Sequence, residues 1–299
     1  MKKLATLIFF LWFSFGLTAQ DTIPAPEAAE PEVQKPIDKP VREPFSSGYI
    51  IDAQTTLVQP KNTLEFYIQH KFGTIENGIS DLYGIYAPAG NIRMGLNYVI
   101  LDNVQVGWGI AKLNMYNDFS IKWNILQQTR KNTIPVALAV YGNVAIDSKD
   151  KIKFGSTYAF TDRLSYFAEV IVGRKFNGWL SLQMAGSFSH YNFVDTGLEH
   201  DRIGIHFNGR AKISPQGAII FNYDIPLNIK AFAENYDFPN SPLPNLSFGA
   251  EVATSTHAFQ IVMGTASGII PQEMIMYNHN DYTKGQLALG FLITRLWNF

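Results

Sequence analysis

The sequence predicts an all-β fold, a transmembrane antiparallel up-and-down β-barrel of about twelve strands behind a disordered N-terminal linker. Three observations support this prediction. Apolar residues alternate with polar or small ones over most of the chain after Thr63, and short connections alternate with long ones between these runs. The chain also ends inside such a run, on Phe299. Alternation with a period of two is the primary sequence signal of a β-strand.

The N-terminus has the features of a secretory signal peptide. A basic start at Lys2 and Lys3 precedes an apolar core at residues 4–17, and small residues precede Gln20. This core is too short to remain in a bilayer as a spanning helix. We therefore predict a signal peptide over residues 1–19 with cleavage after Ala19, and we expect the exported barrel to reside in the outer membrane.

A proline-rich segment follows, and we expect a disordered linker over residues 20–46. Few bulky apolar side chains are present, and six prolines recur between Glu, Ala and Lys residues: Pro24, Pro26, Pro31, Pro36, Pro40 and Pro44. Such a composition cannot bury enough apolar surface to fold by itself. The simpler interpretation is a periplasmic leader, and the alternative is a tether for a periplasmic protein. The barrel domain is then expected over residues 47–299.

Twelve alternating runs predict the strands. They begin near Thr63, Asn91, Asn103, Asp118, Ile134, Arg163, Trp179, Asp201, Gly217, Asn245, His257 and Lys284. Each run is about ten residues long, which is the length that a tilted strand needs to cross a bilayer. An even number of strands returns both chain ends to the periplasm, where the linker is expected.

The alternation can be read in each clear run in turn. Apolar faces are formed by Leu64, Phe66 and Ile68, by Ile92, Met94 and Leu96, by Val104, Val106 and Trp108, by Phe119, Ile121 and Trp123, and by Ile203, Ile205 and Phe207. The residues between them are polar or small. One face of each strand is therefore expected against lipid, and the other face inside the barrel.

The connections between the runs alternate in length. Short ones lie at residues 101–102, 127–133, 177–178, 214–216 and 255–256, and mostly long ones at 74–90, 147–162, 191–200, 227–244 and 268–283, with the short link 113–117 in the second set. Outer-membrane barrels have short periplasmic turns and longer extracellular loops. A soluble β-sandwich gives no reason for this alternation.

Two further segments would raise the strand count to fourteen, residues 48–57 and 151–160. Counting both as strands breaks the alternation of connection lengths near Asp162. We therefore expect residues 151–160 in an outer loop, as a candidate β extension. Residues 48–57 are expected to pack under or inside the barrel.

The inward face carries charges of both signs, which can pair or meet water inside a barrel but are unfavourable against lipid. The charged residues predicted to line the lumen, as pore candidates, are Glu65, Lys71, Arg93, Lys122, Glu169, Arg202, His206, Arg210, Lys212, Asp224 and Glu251. Two interpretations remain, a salt-bridged plugged interior and a polar pore for small solutes. The basic residues of the strand near Asp201 would favour anions unless the acidic ones neutralise them.

Ser189, His190 and Asn192 are candidate catalytic residues, because their residue types match those at the catalytic site of outer-membrane phospholipases. Neighbouring strand residues point to opposite faces, so Ser189 and His190 cannot act together as nucleophile and base. No ligand spacing for a metal appears, and Gly107 to Gly109 lie inside a strand and form no phosphate loop. We therefore predict no catalytic residues, no metal, no cofactor and no enzyme activity.

Composition excludes other classes of protein. The formal net charge is −1 and no basic field suited to nucleic acid is present. The chain has no cysteine, which excludes disulfides and a lipidated N-terminal cysteine. The expected partners are outer-membrane lipid, the barrel-assembly machinery and, through the linker, a periplasmic protein. Trp297 and Phe299, which share the apolar parity of the last strand, are predicted to be the assembly signal.

Several segments together are similar to a known family: residues 64–73, 91–98, 164–170, 174–177 and 181–183. The chain resembles a family of uncharacterised outer-membrane β-barrels from Bacteroidota, a domain of unknown function. The resemblance runs from about Gly48 to Phe299 and leaves the proline-rich segment outside. It implies a barrel in the outer membrane, and it implies no activity, ligand or catalytic residue.

The functional expectation is therefore a passive channel for small solutes or a structural component of an outer-membrane complex. Two alternatives of other classes remain, an outer-membrane lipid hydrolase and a soluble periplasmic β-protein.

Overall fold

The structure is a computed structural model that describes residues 38–229 and 241–299. The predicted signal peptide, its cleavage after Ala19 and residues 20–37 of the predicted linker lie outside the described residues. The same holds for residues 230–240, the centre of the connection 227–244. Residues from Asp38 onward form one compact unit.

Twelve antiparallel strands close into one barrel, which confirms the predicted fold class. A two-stranded hairpin precedes them, β1 (Tyr49–Ile50) and β2 (Ala53–Gln54). The barrel strands are β3 (Thr63–Thr74), β4 (Asn91–Leu101), β5 (Val104–Ala111), β6 (Asn117–Leu126), β7 (Ala137–Ile146), β8 (Leu164–Lys175), β9 (Leu180–Tyr191), β10 (Asp201–Lys212), β11 (Gly217–Leu227), β12 (Asn245–Ala253), β13 (His257–Gly264) and β14 (Ala288–Asn298). Each pairs with its neighbours in sequence, and β14 closes on β3.

Two strands begin later than predicted, and both delays have a local cause. β7 starts at Ala137 rather than Ile134 because Pro135 has no N–H to donate to the ladder. β14 starts at Ala288 rather than Lys284 because a 3₁₀ turn precedes it and ends at Gly285, whose φ is +74°. This left-handed conformation suits glycine and ends the turn.

Buried and exposed residues alternate along the barrel strands, as the alternation of apolar and polar residues in the sequence predicted. In β9 the inward residues Gln183 and Ser187 are each 5% exposed, whereas Met184 and Phe188 are 52% and 42% exposed. Large apolar side chains project outward from strand after strand around the barrel. A belt of this kind would be unfavourable in water and is the surface that a membrane barrel presents to lipid.

The long connections contain short helical turns. They lie at Ile75–Asp81, Leu113–Met115, Lys151–Phe154, Phe160–Arg163 and Tyr282–Lys284, with one α-helical turn, α1, at Pro271–Met276. The candidate β extension over residues 151–160 is therefore replaced by 3₁₀ turns, because the Asp150 carboxylate accepts the Ile152 N–H at 2.9 Å and bends the chain. Within the described ranges no helix is long and apolar enough to cross a membrane.

Residues 38–46 belong to the predicted disordered linker. In the structure they run along the connection between β6 and β7. Pro40 forms a β-bridge with Thr129, and the Val41 N–H donates to the Gln128 carbonyl at 2.9 Å. Phe45 is buried against the hairpin residues Ile50 and Ile51. The chain thus contacts the barrel before it reaches residue 47.

Candidate functional site

Two segments of the chain occupy the barrel lumen. The N-terminal hairpin, residues 48–57, enters from the end with the short turns, and this position inside the barrel confirms one of the two predicted placements. The loop helix, residues 269–277, contains α1 and enters from the end with the long loops. All six residues of α1 are buried, as are Tyr49 and Ile50 of the hairpin.

Wall side chains hold the hairpin through its backbone. Gln260 on β13 accepts the Ile51 N–H through Oε1 at 2.7 Å and donates to the Tyr49 carbonyl through Nε2 at 3.2 Å. Gln183 on β9 donates to the Gln54 carbonyl at 2.6 Å. Buried backbone groups need such partners, so these amides replace the water that a bare hairpin would bind.

Charges inside the lumen also hold the hairpin. The Lys71 ammonium lies 2.7 Å from the Asp52 carboxylate, and both side chains are less than a tenth exposed. Lys122 donates to the Gly48 carbonyl and to Gln54 Oε1, each at 3.2 Å. Loss of either contact would leave a buried ammonium with fewer partners, which is unfavourable at low dielectric.

The loop helix is held by several apolar side chains and by two polar ones. Ile275 is fully buried among Tyr141, Phe167 and Ile171. Gln272 donates to Asn143 Oδ1 on β7 at 2.8 Å. Glu273 accepts the Asn114 amide at 3.2 Å, and burial raises its pKa to about 7.

The hairpin and the loop helix lie in consecutive layers of the lumen. On β9, Gln183 contacts the hairpin, and Ala185, two residues further along on the same face, packs in the cluster around Ile275. Two strand residues span about 7 Å. The two segments therefore stack in series along the barrel axis.

A cavity opens at each end of the barrel. At the long-loop end a cavity of about 300 Å³ is lined by residues that include Tyr116, Phe154, Arg163, Tyr191 and Tyr277. At the short-turn end a cavity of about 630 Å³ is lined by residues that include Phe45, Leu57, Arg210, Lys212 and Gln216. Each cavity borders one of the two segments, so they form vestibules on either side of the filled lumen.

Most of the predicted pore candidates are buried inside the barrel in this conformation. Ten are buried, and Lys212 is partly buried at the short-turn end: the ten are Glu65, Lys71, Arg93, Lys122, Glu169, Arg202, His206, Arg210, Asp224 and Glu251. Three of the four basic residues of β10 have an acidic partner, because Arg202 binds Glu199, His206 binds Asp224 and Arg210 binds Glu251 at 2.6 Å. These three pairs neutralise most of the positive charge considered for β10, and Lys212 lies at the short-turn end outside them.

The predicted assembly residues lie at the free end of β14. Phe299 is 80% exposed, and the Arg295 guanidinium lies 4.9 Å from the Trp297 ring centroid. Their recognition by the assembly machinery stays a prediction.

The candidate catalytic residues Ser189 and His190 lie on opposite faces of their strand, as the sequence predicted. Ser189 is fully buried inside the barrel, whereas His190 lies on the outer side, 2.7 Å from Asp201 and 2.8 Å from Asn192. Among the described residues no group of three or more His, Cys, Asp or Glu side chains could hold a metal ion.

Sequence reasoning missed one row of side chains that the strands bring together. Ser187 Oγ lies 2.7 Å from His206 Nε2, and His206 Nδ1 lies 2.7 Å from Asp224 Oδ1. The three residues sit on β9, β10 and β11, which are adjacent. A signal was present, because all three have inward parity in consecutive strands, but only the register places them at one depth.

Comparison with known proteins agrees with this architecture. A family model described as a membrane bound beta barrel domain (DUF5777) matches residues 45–297. No curated protein sequence matches the chain. An outer-membrane channel from Pseudomonas putida F1 has a similar structure, with a TM-score of 0.51 and 8% identity over 81% of this chain and 97% of that one.

Two porins are also similar in structure. The NanC porin has a TM-score of 0.49 and 7% identity, and the KdgM porin a TM-score of 0.45 and 6% identity. Each comparison covers 79% of this chain and 99% of the porin. At such low identities a structural similarity reports on the fold alone.

Proposed function

We propose that this chain, which belongs to the DUF5777 family of membrane-bound β-barrel domains, is an outer-membrane channel for small polar solutes. In the present conformation the N-terminal hairpin and the loop helix close it. The observation that carries the proposal is a lumen with a polar wall, filled by two separate chain segments between two vestibules.

The chemistry of the filled lumen supports reversible closure. The hairpin backbone is held by side-chain amides and ammonium groups, which water can also satisfy once the hairpin leaves. Apolar contacts of Ile50 and Ile51 with Ile220 and Val262 add to them. A barrel that serves only as a scaffold gains no stability from this arrangement, because well-packed apolar residues are often as stabilising as buried ion pairs, or more so. Behind the hairpin the wall is largely polar, which solute passage requires, whereas behind the loop helix it carries Tyr141, Phe167 and Ile171.

Planar-bilayer recordings test the proposal. We would compare the wild type with a variant lacking residues 20–57, a variant in which a Gly-Ser linker replaces residues 269–277, and the double variant. Because the two segments lie in series, each single variant should stay mostly closed, and the double variant should show stepwise conductance. Replacement of residues 151–154, in a loop at the same end, is the matched control and should leave the wild-type behaviour unchanged.

The folding of every variant is checked by its heat-dependent mobility in gel electrophoresis. A folded double variant without any conductance would contradict the channel and would favour a structural component of an outer-membrane complex.

The selectivity of the open channel follows from the pairs that opening removes. Loss of the hairpin takes Asp52 away from Lys71, and Lys122 loses two acceptors on the hairpin. We expect the double variant to prefer anions in a salt gradient. Lys71→Gln in that background should reduce the preference, and an unchanged reversal potential would show that Lys71 does not face the permeation path.

The processing and partners of the N-terminus belong to the same proposal. Cleavage after Ala19 would give a mature chain that begins with Gln20, which N-terminal sequencing of the outer-membrane protein can check. The proline-rich linker would then lie in the periplasm, where crosslinking from the linker can identify a bound protein.

A further inference from the structure

We propose that Ser187, His206 and Asp224 form a nucleophilic serine site inside the lumen, which acts on small acyl esters when the loop helix has left. The inference goes beyond the channel, although it rests on the same release of the loop helix. Its evidence is the geometry of the three side chains and the position of Ile275 above them.

The three groups lie in the order that nucleophile activation requires. The Asp224 carboxylate accepts from His206 Nδ1 at 2.7 Å, which leaves the lone pair of Nε2 facing the Ser187 hydroxyl at 2.7 Å. This tautomer is assigned from the hydrogen-bond network. The second Asp224 oxygen accepts the Asn222 and Asn245 amides, each at 2.7 Å, so the carboxylate is fixed. A base that is itself oriented by a third group is the arrangement of Ser-His-Asp enzymes on unrelated folds.

The register of three strands creates this row. His206 on β10 pairs directly with Asp224 on β11, and Ser187 on β9 pairs with Gly204, two residues before His206 on the same face. A Cβ atom at Gly204 would lie 2.6 Å from Ser187 Oγ and 2.9 Å from His206 Nε2. The missing side chain at residue 204 therefore makes room for the hydrogen bond between Ser187 and His206.

The loop helix controls access to this row. A Cβ atom at Gly204 would also lie 2.9 Å from Ile275 Cδ1. The Ile275 side chain therefore covers the space in front of Ser187 and His206. Ile275 is fully buried, and the loop helix leads to the vestibule at the long-loop end. A substrate would therefore reach Ser187 from the extracellular side.

The chemistry is acyl transfer followed by hydrolysis. Ser187 Oγ forms a bond with the carbonyl carbon while its proton moves to His206 Nε2, and the ester C–O bond then breaks as the leaving alcohol takes that proton. Water repeats the sequence on the acyl group, releases the acid and restores the serine. Within the described strands the backbone N–H groups near Ser187 belong to the sheet and do not form an oxyanion hole. Turnover should therefore be slow, and covalent labelling is the better measurement.

The test uses a fluorophosphonate on the full-length protein in lipid vesicles. Ser187 Oγ would displace fluoride from phosphorus, with its proton passing to His206, and mass spectrometry would locate the adduct. We expect Ile275→Gly to label at Ser187 at least ten times faster than the wild type. In the Ile275→Gly background, Ser187→Ala and His206→Asn should remove the adduct. Ser189, which is buried two residues away on the same strand, is the internal control and should stay unlabelled.

Two glycine substitutions in the Ile275→Gly background distinguish activation of Ser187 by His206 from simple exposure of Ser187 to the reagent. Gly204→Ala should abolish labelling because the new methyl group separates Ser187 from His206. Gly186→Ala, where a Cβ would have no atom within 4 Å, should label like its parent. Equal labelling of Ser187 and Ser189, or labelling that persists in His206→Asn, would overturn the site.

Release of the loop helix is measured separately by maleimide labelling of Met274→Cys, at a buried position of α1, since the chain has no other cysteine. Release without an adduct at Ser187 would also overturn the site. A labelled protein that does not conduct would instead contradict the proposed channel and leave this site standing.

Discussion

At the scale of single residues, Arg93 and Asp118 form a buried charge pair inside the barrel with several hydrogen bonds. The guanidinium lies 2.5 Å from the carboxylate, and both side chains are 2% exposed. They sit on β4 and β6 and meet across β5, where a Cβ at Gly109 would lie 2.6 Å from Asp118 Oδ2. The glycines around Trp108, which form no phosphate loop, thus allow side chains from two strands to meet over a third.

Removal of one member of this pair should be strongly destabilising. Asp118→Ala leaves the Arg93 charge buried without its acidic partner, which we expect to lower the free energy of unfolding by about 3–5 kcal/mol. The matched control is Asp281→Ala, since Asp281 pairs at 3.8 Å with Lys284, whose side chain is 72% exposed. An exposed pair contributes about 1 kcal/mol or less. Urea unfolding in lipid vesicles measures both, and equal costs would contradict the buried pair.

We expect closure by the loop helix to depend on pH through Glu273. Burial raises its pKa from 4.5 to about 7, so the seated loop helix prefers the neutral acid. Below pH 4.5 the carboxyl is protonated in both the seated and the released state, and it does not oppose seating. As the pH rises through this interval, seating weakens by about 1.4 kcal/mol per unit, or about 3 kcal/mol in all, and remains weakened at higher pH.

We therefore expect the rate of maleimide labelling of Met274→Cys, at a buried position of α1, to increase between pH 5 and 8 by more than the ionisation of the thiol alone explains. Ile152→Cys, at a site that is 81% exposed, supplies the reference for that chemistry. Glu273→Gln should remove the excess. The labelling rate of the loop-helix cysteine is divided by that of Ile152→Cys at each pH. If this ratio does not change with pH while Glu273 is present, ionisation of Glu273 does not control the loop helix.

At the scale of elements, the last strand combines two roles. β14 closes the barrel by pairing with β3, from Asn298 with Thr63 to Ala288 with Thr74. Phe299, the residue that follows β14, is 80% exposed and makes little contribution to packing. We propose that this exposed aromatic side chain is recognised by another protein during assembly.

Deletion of Phe299 should lower the amount of protein in the outer membrane and leave the purified, refolded barrel nearly as stable as the wild type. The control is Phe160→Ala, which removes a 60% exposed aromatic side chain from a long loop. Immunoblots of membrane fractions and urea unfolding give the two measurements. Normal membrane levels without Phe299 would exclude the assembly signal.

At the scale of the whole molecule, the closed sheet places all the connections that were predicted to be long at one end. The proposed topology makes that end extracellular, including the connection 227–244, whose residues 230–240 lie outside the described residues. A membrane-impermeant maleimide should label Ile152→Cys on intact cells. Ser255→Cys, in a short turn at the opposite end, should react only after lysis. The reverse pattern would invert the topology.

The sequence alone determined the architecture of the barrel. Parity separates Met184 and Phe188 from Gln183 and Ser187 without any knowledge of neighbours, because a strand turns successive side chains to opposite faces. The alternating connection lengths then indicate an up-and-down barrel, in which each strand pairs with the next one in the chain. They also distinguish the two ends of the barrel. These are local properties, and the structure confirms the twelve predicted strands with shifts only at a few ends.

Only the tertiary structure decided what fills the lumen and which inward side chains meet. The contact between Ile51 and Gln260 joins residues 209 positions apart, and the row of Ser187, His206 and Asp224 depends on the register of three strands. Parity states that a residue faces inward but not the depth at which it lies, because depth follows from how far each strand slides against its neighbours. A closed barrel fixes all those offsets together, and no single segment of the sequence contains them.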